Sequence, residues 1–100
     1  MVYYTQLVYL RPGQADLFHQ FEKHVLPLLE KHNGRMLVRW RRTDQGVIES
    51  AVGHPDEIHL LSFTSAEDFR NYVDDEMRVS FLHLKEASVE RTLLIQGEQI

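Results

Sequence analysis

Histidines are the residues of this sequence best suited to chemistry near neutral pH, and there are six of them among 100 residues. His59 lies inside an apolar segment, residues 58–64, where it alternates in step with Leu61 and Phe63. Such a histidine is either a hydrogen-bonded core residue or a pocket residue able to move protons. We predict that His59 is part of a pocket wall or of the core, and it is our candidate for a catalytic base or donor.

His83 is the second candidate ligand-binding histidine. It falls on the last predicted helix, and if that helix leaned over the sheet, His83 and His59 would define a cleft of the kind that holds ligands. His19 and His24 are five residues apart, about 140° round a helix, so they cannot chelate a metal together. No pair has the i, i+4 spacing of a helical metal site.

The only basic cluster is Arg-Trp-Arg-Arg, residues 39–42. Arg39 could clamp a carboxylate with its bidentate fork, and Trp40 could line a ligand site or anchor a partner chain. Alternatively, the cluster is a charged edge strand that discourages aggregation. The acidic run at residues 74–76 has no ligand spacing, and we interpret it as a solvated helix break.

Several function classes are disfavoured by composition. The chain has no cysteine, which excludes disulfides, thiolate nucleophiles and iron–sulfur clusters. It has no glycine-rich phosphate loop and no Gly-x-Ser-x-Gly elbow. We therefore expect no metal and no cofactor.

Charge and hydropathy indicate the surroundings of the protein. A net charge of −4 and a pI of about 5.8 disfavour nucleic acid as a partner. No apolar run approaches the roughly 20 residues that span a membrane, and the first residues lack a signal-peptide pattern. A cytoplasmic, soluble protein without a membrane partner is expected.

Hydrophobic periodicity predicts a single domain over residues 1–100 with the order β-α-β-β-α-β. The strands are expected at residues 2–10, 35–42, 58–64 and 90–96. A first helix, bent at Pro27, is expected from residue 14 to 32, with Gly34 suited to a left-handed cap. Ser65 should cap a second helix that breaks near residue 75 and ends near residue 87.

This order is typical of an α+β, ferredoxin-like fold, with an antiparallel four-stranded sheet in the order 4-1-3-2 and both helices on one face. The other sheet face would then be bare. Yet strands one, two and four carry apolar residues of both parities, so that face would be a large apolar patch. A second copy packed sheet to sheet solves this problem, and we predict a homodimer.

Three segments carry a resemblance to a known family: residues 24–39 (HVLPLLEKHNGRMLVR), 60–73 (LLSFTSAEDFRNYV) and 93–98 (LLIQGE). With them the chain resembles the dimeric α/β-barrel superfamily, and most closely a family of similar length known only as a domain of unknown function. The superfamily also includes antibiotic-biosynthesis monooxygenases, haem-degrading enzymes, muconolactone isomerases and stress-responsive barrels.

The resemblance implies a fold more than an activity. A resemblance to the haem-degrading type would imply an Asn on strand one, a Trp on strand three and a His early in the last helix. Here strand one has Gln6, the only tryptophan is Trp40 on strand two, and His83 comes too late. The haem site therefore does not carry over.

Three functions stay open. The chain is a small-molecule-binding protein with a cleft between sheet and helices, a cofactor-free monooxygenase-like or isomerase-like enzyme, or a non-catalytic dimerisation and assembly protein. A ligand-sized cavity containing His59 favours the first two. A cleft packed solid by phenylalanines favours the third.

Overall fold

The computed structural model describes all residues of the chain, 1–100. The chain forms four strands: β1 Val2–Leu10, β2 Gly34–Arg41, β3 Glu57–Phe63 and β4 Val89–Gly97. The helices are α1 Ala15–Val25, α2 Ala66–Val73, α3 Glu76–Ser80 and α4 Leu82–Ser88. None of these helices has the length and apolar character that crossing a membrane requires.

The strands form one antiparallel sheet in the order β2-β3-β1-β4, which confirms the predicted 4-1-3-2 arrangement. β1 lies at the centre, between β3 and β4. Its Gln6 faces His59 on one side and Leu94 on the other. Because directly opposed residues point to the same sheet face, these three side chains share a face.

The helix layer begins with α1, whose Phe18, Phe21 and Val25 are buried. The helix ends at Val25, because Pro27 has no backbone N–H and cannot continue it. Two 3-10 turns, Leu26–Leu28 and Glu30–His32, carry the chain onward. The expectation of one bent helix as far as residue 32 was therefore wrong.

Asn33, and not Gly34, takes the left-handed conformation after these turns, with φ 58°. Asparagine tolerates that region better than other side chains. Gly34 is needed for space instead: a Cβ on it would lie 2.5 Å from Cε1 of the buried Phe63 ring. The glycine thus allows β2 to start against the core.

The second helical segment is capped as predicted. The Ser65 hydroxyl accepts a hydrogen bond from the Asp68 backbone N–H at 3.1 Å. The break follows at Asp75, which caps α3 by accepting from the Met77 N–H at 2.9 Å. Asp75 is buried and also accepts from His32 and Lys31, so the interpretation of this residue as a solvated charge was wrong.

A β-bulge at Leu37 changes the faces of β2. Met36 lies opposite Leu61, but Val38 lies opposite Leu60 and Arg39 opposite His59. A bulge adds one residue to one strand and so reverses the alternation beyond it. Strict alternation along β2 would place Met36 and Val38 on one face, but the bulge separates them and turns Arg39 toward the helices.

The sheet face away from the helices is largely uncovered. It carries half-buried Leu7, Leu60 and Leu93 together with Trp40 and Ile95, whose exposures are 63% and 53%. One corner is covered by the loop after β2: the Tyr9 hydroxyl donates to the Val52 carbonyl at 2.6 Å. The rest is the bare apolar face that the sequence predicts.

Candidate functional site

His59 lies at the middle of β3 with its side chain only 4% exposed, on the face that the helices cover. Its Nε2 is 3.0 Å from Glu57 Oε1 and 3.3 Å from Glu22 Oε2. Its Nδ1 is 3.4 Å from Gln6 Oε1. The imidazole therefore has polar partners at both nitrogens, inside an otherwise apolar layer.

Glu57 opens β3 and shares the face of His59, two residues further on. One oxygen pairs with His59, and the other lies 2.9 Å from Nε2 of His19 on α1. Burial by itself raises the pKa of the Glu57 carboxyl, but the hydrogen bonds from His59 and His19 outweigh it and lower the pKa. Glu57 is thus held ionised between two histidines.

Glu22 reaches the same point from α1. Both of its oxygens accept hydrogen bonds from Arg39, from Nη2 at 2.8 Å and from Nε at 3.1 Å. Burial raises the pKa of Glu22 more than Arg39 lowers it, and the nearby charge of Glu57 raises it further. The hydrogen bond to Glu22 in turn raises the pKa of Arg39.

These side chains form one network, which we call the His59 cluster: Gln6, His19, Glu22, Arg39, Glu57 and His59. It holds two buried carboxylates whose pKa values are shifted in opposite directions, and both lie close to the same imidazole nitrogen, Nε2 of His59. Pairs of neighbouring titratable groups whose pKa values are driven apart in this way are an arrangement that proton transfer uses. A fully satisfied network of this kind also fixes the packing of α1 on the sheet.

The His59 cluster forms part of the wall of a cleft of about 630 Å³ between the sheet and the helices. Its lining is predominantly apolar and includes Phe18, Phe21 and Phe69. These rings border the space and do not fill it. The polar groups at the wall are Gln6, Glu22, His59, Tyr72, Arg78, Lys85, Glu86, Arg91 and Thr92.

No protein-family model matches the chain, and no curated protein matches it. Solved structures do match. A protein of unknown function from Rhodopseudomonas palustris is 19% identical, with a TM-score of 0.85 over 99% of this chain and 82% of that one. The chain has a ferredoxin-like fold. A dimeric protein of unknown function from Bacteroides fragilis, described with that fold, is 17% identical, with a TM-score of 0.67 over 98% and 95% of the two chains.

A DABB family protein with a ferredoxin-like fold, from Mesorhizobium loti, is 15% identical, with a TM-score of 0.67 over 99% of this chain and 96% of that one. A NIPSNAP domain protein from Burkholderia xenovorans, which is uncharacterised, is also similar. These neighbours agree with the superfamily resemblance seen in the sequence. At such identities they show the fold and no activity.

The ferredoxin-like sheet brings together only some of the predicted site residues. His59 lines the cleft, and Arg39 contacts the same cluster because of the bulge at Leu37. Trp40 points to the opposite face, where it borders a shallow depression beneath the loop after β2. His83 is exposed on α4 and is not at the cleft, so it does not join His59.

Glu22 and Glu57 were missed in the sequence, although each carried a signal. Glu22 interrupts the apolar stripe of α1, three residues before Val25 and four after Phe18. Glu57 alternates in step with His59, but the preceding Pro-Asp made it look like part of a loop. A charged residue at a core position of an otherwise clean pattern was the clue in both cases.

Metal binding was not expected, yet three residues of the His59 cluster converge. His19, Glu22 and Glu57 each place a ligand atom within 4.8 Å of the others. Both oxygens of Glu22 already accept from Arg39, and both oxygens of Glu57 contact histidines. A metal ion here would have to displace the guanidinium, so the geometry favours an ion-pair network.

Proposed function

We propose that this protein is a homodimer that binds a small molecule in the cleft between its sheet and helices. The observation that supports this most directly is the cleft itself, about 630 Å³ in volume, with an apolar lining and the buried His59 cluster in its wall. Binding sites for small molecules have this volume and this composition, in which a few polar groups orient the ligand.

The His59 cluster suits recognition because its geometry is fixed before a ligand arrives. Arg39 and Glu57 hold their neighbours through several hydrogen bonds, and His59 is almost fully buried. Gln6, which is half-buried at the cleft wall, could exchange its weak 3.4 Å contact with His59 for a ligand. A ligand with a hydroxyl or carbonyl group would be oriented there at little cost in side-chain entropy.

The second copy would cover the bare sheet face. Trp40 and Ile95 are more than half exposed there, in a patch continuous with Leu60 and Leu93. A contiguous apolar surface of this kind marks an interface, with a tryptophan as its natural anchor. One similar structure is described as dimeric. We further propose a cytoplasmic location, which the cysteine-free sequence suits, and no role for nucleic acid.

Binding can be tested with N-phenyl-1-naphthylamine, an uncharged probe that fluoresces in apolar sites, added to the purified dimer. We expect saturable binding by the wild-type protein. Leu94→Trp should abolish it, because Leu94 lines the cleft and is 45% exposed there. The matched control is Val79→Trp, at a residue that is 48% exposed but outside the cleft.

Equal binding by both tryptophan variants would move the probe site elsewhere on the molecule. No saturable binding at all would leave the assembly function as the remaining one. Native mass spectrometry of the protein as purified adds an independent readout, since a co-purifying adduct on a dimer would give the ligand mass.

A second candidate function is proton transfer, and the opposite pKa shifts of Glu22 and Glu57 beside His59 favour it. The probe is α-tetralone, a bicyclic ketone whose α-protons exchange slowly with deuterated water. If His59 transfers protons, the wild-type protein should accelerate this exchange saturably, and His59→Gln should not. Equal rates for both proteins would exclude His59 as the base for this class of substrate.

A further inference from the structure

Three cations at the cleft have no role in the His59 cluster, and one of them, Arg91, lies over the Tyr9 ring and donates to the Val52 carbonyl. The other two are Arg78 and Lys85. Arg78 lies on α3 and Lys85 on α4, and both line the cleft. Neither forms an ion pair with any carboxylate of the chain, in contrast to Arg39 and Arg42. Half-buried cations without a counter-charge are costly to keep, so they call for an explanation.

Arg78 is held in place with part of its fork unused. Its Nη1 donates to the Val73 carbonyl at 3.1 Å, and its guanidinium lies 5.2 Å from the Tyr72 ring centre and 5.8 Å from that of Phe21. Its Nε is buried and has no hydrogen-bond partner. Since buried donors are nearly always paired, this N–H lacks an acceptor that a ligand in the cleft could provide.

Lys85 adds a second positive charge on the same side of the cleft. It is half-buried and donates no hydrogen bond within the chain. Burial lowers the pKa of Lys85, and the nearby charge of Arg78 lowers it further. Glu86 raises that pKa but makes no ion pair with Lys85. Two like charges held this close are stabilised by an anion between them.

We propose that Arg78 and Lys85 form a subsite for the carboxylate of an organic acid whose apolar body fills the cleft. This inference rests on the proposed binding function and names its ligand class. Arginine and lysine together match a planar carboxylate, with charge-assisted hydrogen bonds. The buried Glu22 at the same cleft would repel a second negative charge, which favours a monoacid over a phosphate ester.

The test compares 2-naphthoate with 2-naphthamide, which have the same ring system and differ in charge, by isothermal titration calorimetry on the dimer. The wild-type protein should bind the acid roughly ten- to a hundredfold more tightly, the factor that charge-assisted hydrogen bonds supply. Lys85→Met should remove most of this preference and leave the affinity for the amide unchanged. Lys23→Met, which removes an exposed cation on α1 outside the cleft, is the matched control.

Arg78→Lys tests the fork separately, since it keeps the charge and loses the bidentate geometry; it too should reduce the preference. If the acid binds no better than the amide, or if Lys85→Met and Lys23→Met behave alike, the subsite is overturned and the cleft stands. If neither 2-naphthoate nor 2-naphthamide binds while N-phenyl-1-naphthylamine does, the subsite is again overturned. If none of the three probes binds, both the subsite and the proposed binding function fail.

Discussion

Removing the Arg39 side chain should expose how the His59 cluster stabilises the fold. In Arg39→Met, the Glu22 carboxylate stays 3% exposed but loses the two hydrogen bonds from the guanidinium. Breaking a fully buried ion pair from one side costs about 3–5 kcal/mol. Arg39 is 42% exposed, so solvent already screens part of the interaction, and we expect a loss of about 1–3 kcal/mol at neutral pH.

The pH dependence of this loss follows from the raised pKa of Glu22. Arg39 lowers the pKa of Glu22, so its removal raises that pKa further above the ordinary value of 4.5. A carboxyl with a raised folded pKa favours folding fully below its unfolded pKa, and this contribution is lost as the pH rises through the folded pKa. The difference between Arg39→Met and wild type should therefore be smallest below pH 4.5 and grow toward neutral pH.

Urea unfolding across this pH range, at one fixed protein concentration, measures the effect. Arg41→Met is the control, because Arg41 lies on the same strand and makes no ion pair. Adding Glu22→Gln to Arg39→Met should recover part of the loss at neutral pH, since no charge is then buried alone. Suppose that Arg39→Met lowers the free energy of unfolding no more than Arg41→Met does, or lowers it equally at every pH. Arg39 then does not contact Glu22, and β2 has no bulge at Leu37.

Three further changes have definite expected outcomes. His59→Ala should leave the dimer intact in light scattering, because His59 lies on the helix face; a monomer would contradict that placement. Gly34→Ala should destabilise the protein by about 1–3 kcal/mol in urea, through the clash with Phe63. Hydrogen bonds from His32 and Lys31 hold the pKa of Asp75 below its usual 3.8, so its stabilisation is present above that pH and lost below it. Thermal melts of Asp75→Asn should thus differ most from wild type near neutral pH and converge in acid.

The fold was predictable from the sequence because each element has a clean local signal. The period of two in β3, the apolar stripe of α1 and the Ser65 cap hold in the structure. The Leu37 bulge could not be predicted in this way. One extra residue reverses every later side chain of β2, and the arginine-rich pattern carries no mark of it. Arg39 could therefore be named as a candidate ligand-binding residue, but its contact with Glu22 could not be predicted.

The candidate site was only half predictable for a related reason. His59 was identified by residue type at a core position, and the same rule applied to Glu22 and Glu57 would have found its partners. His83 was chosen by type alone, and it is exposed because it falls on the outer side of α4. The chemistry of a residue therefore has to be weighed together with its place in the hydrophobic pattern.

The two polar regions of the cleft restrict the ligand jointly. The His59 cluster is supplied by α1 and the strands, whereas Arg78 and Lys85 come from α3 and α4. An acid held by the cations places its apolar body against Phe21 and Phe69. A second polar group on the ligand, a hydroxyl or carbonyl, could then take the place of the weak 3.4 Å contact between Gln6 and His59. If both proposals hold, the ligand is a monocarboxylic acid with an oxygen substituent distant from its carboxylate, whereas a simple fatty acid would make no polar contact with the His59 cluster.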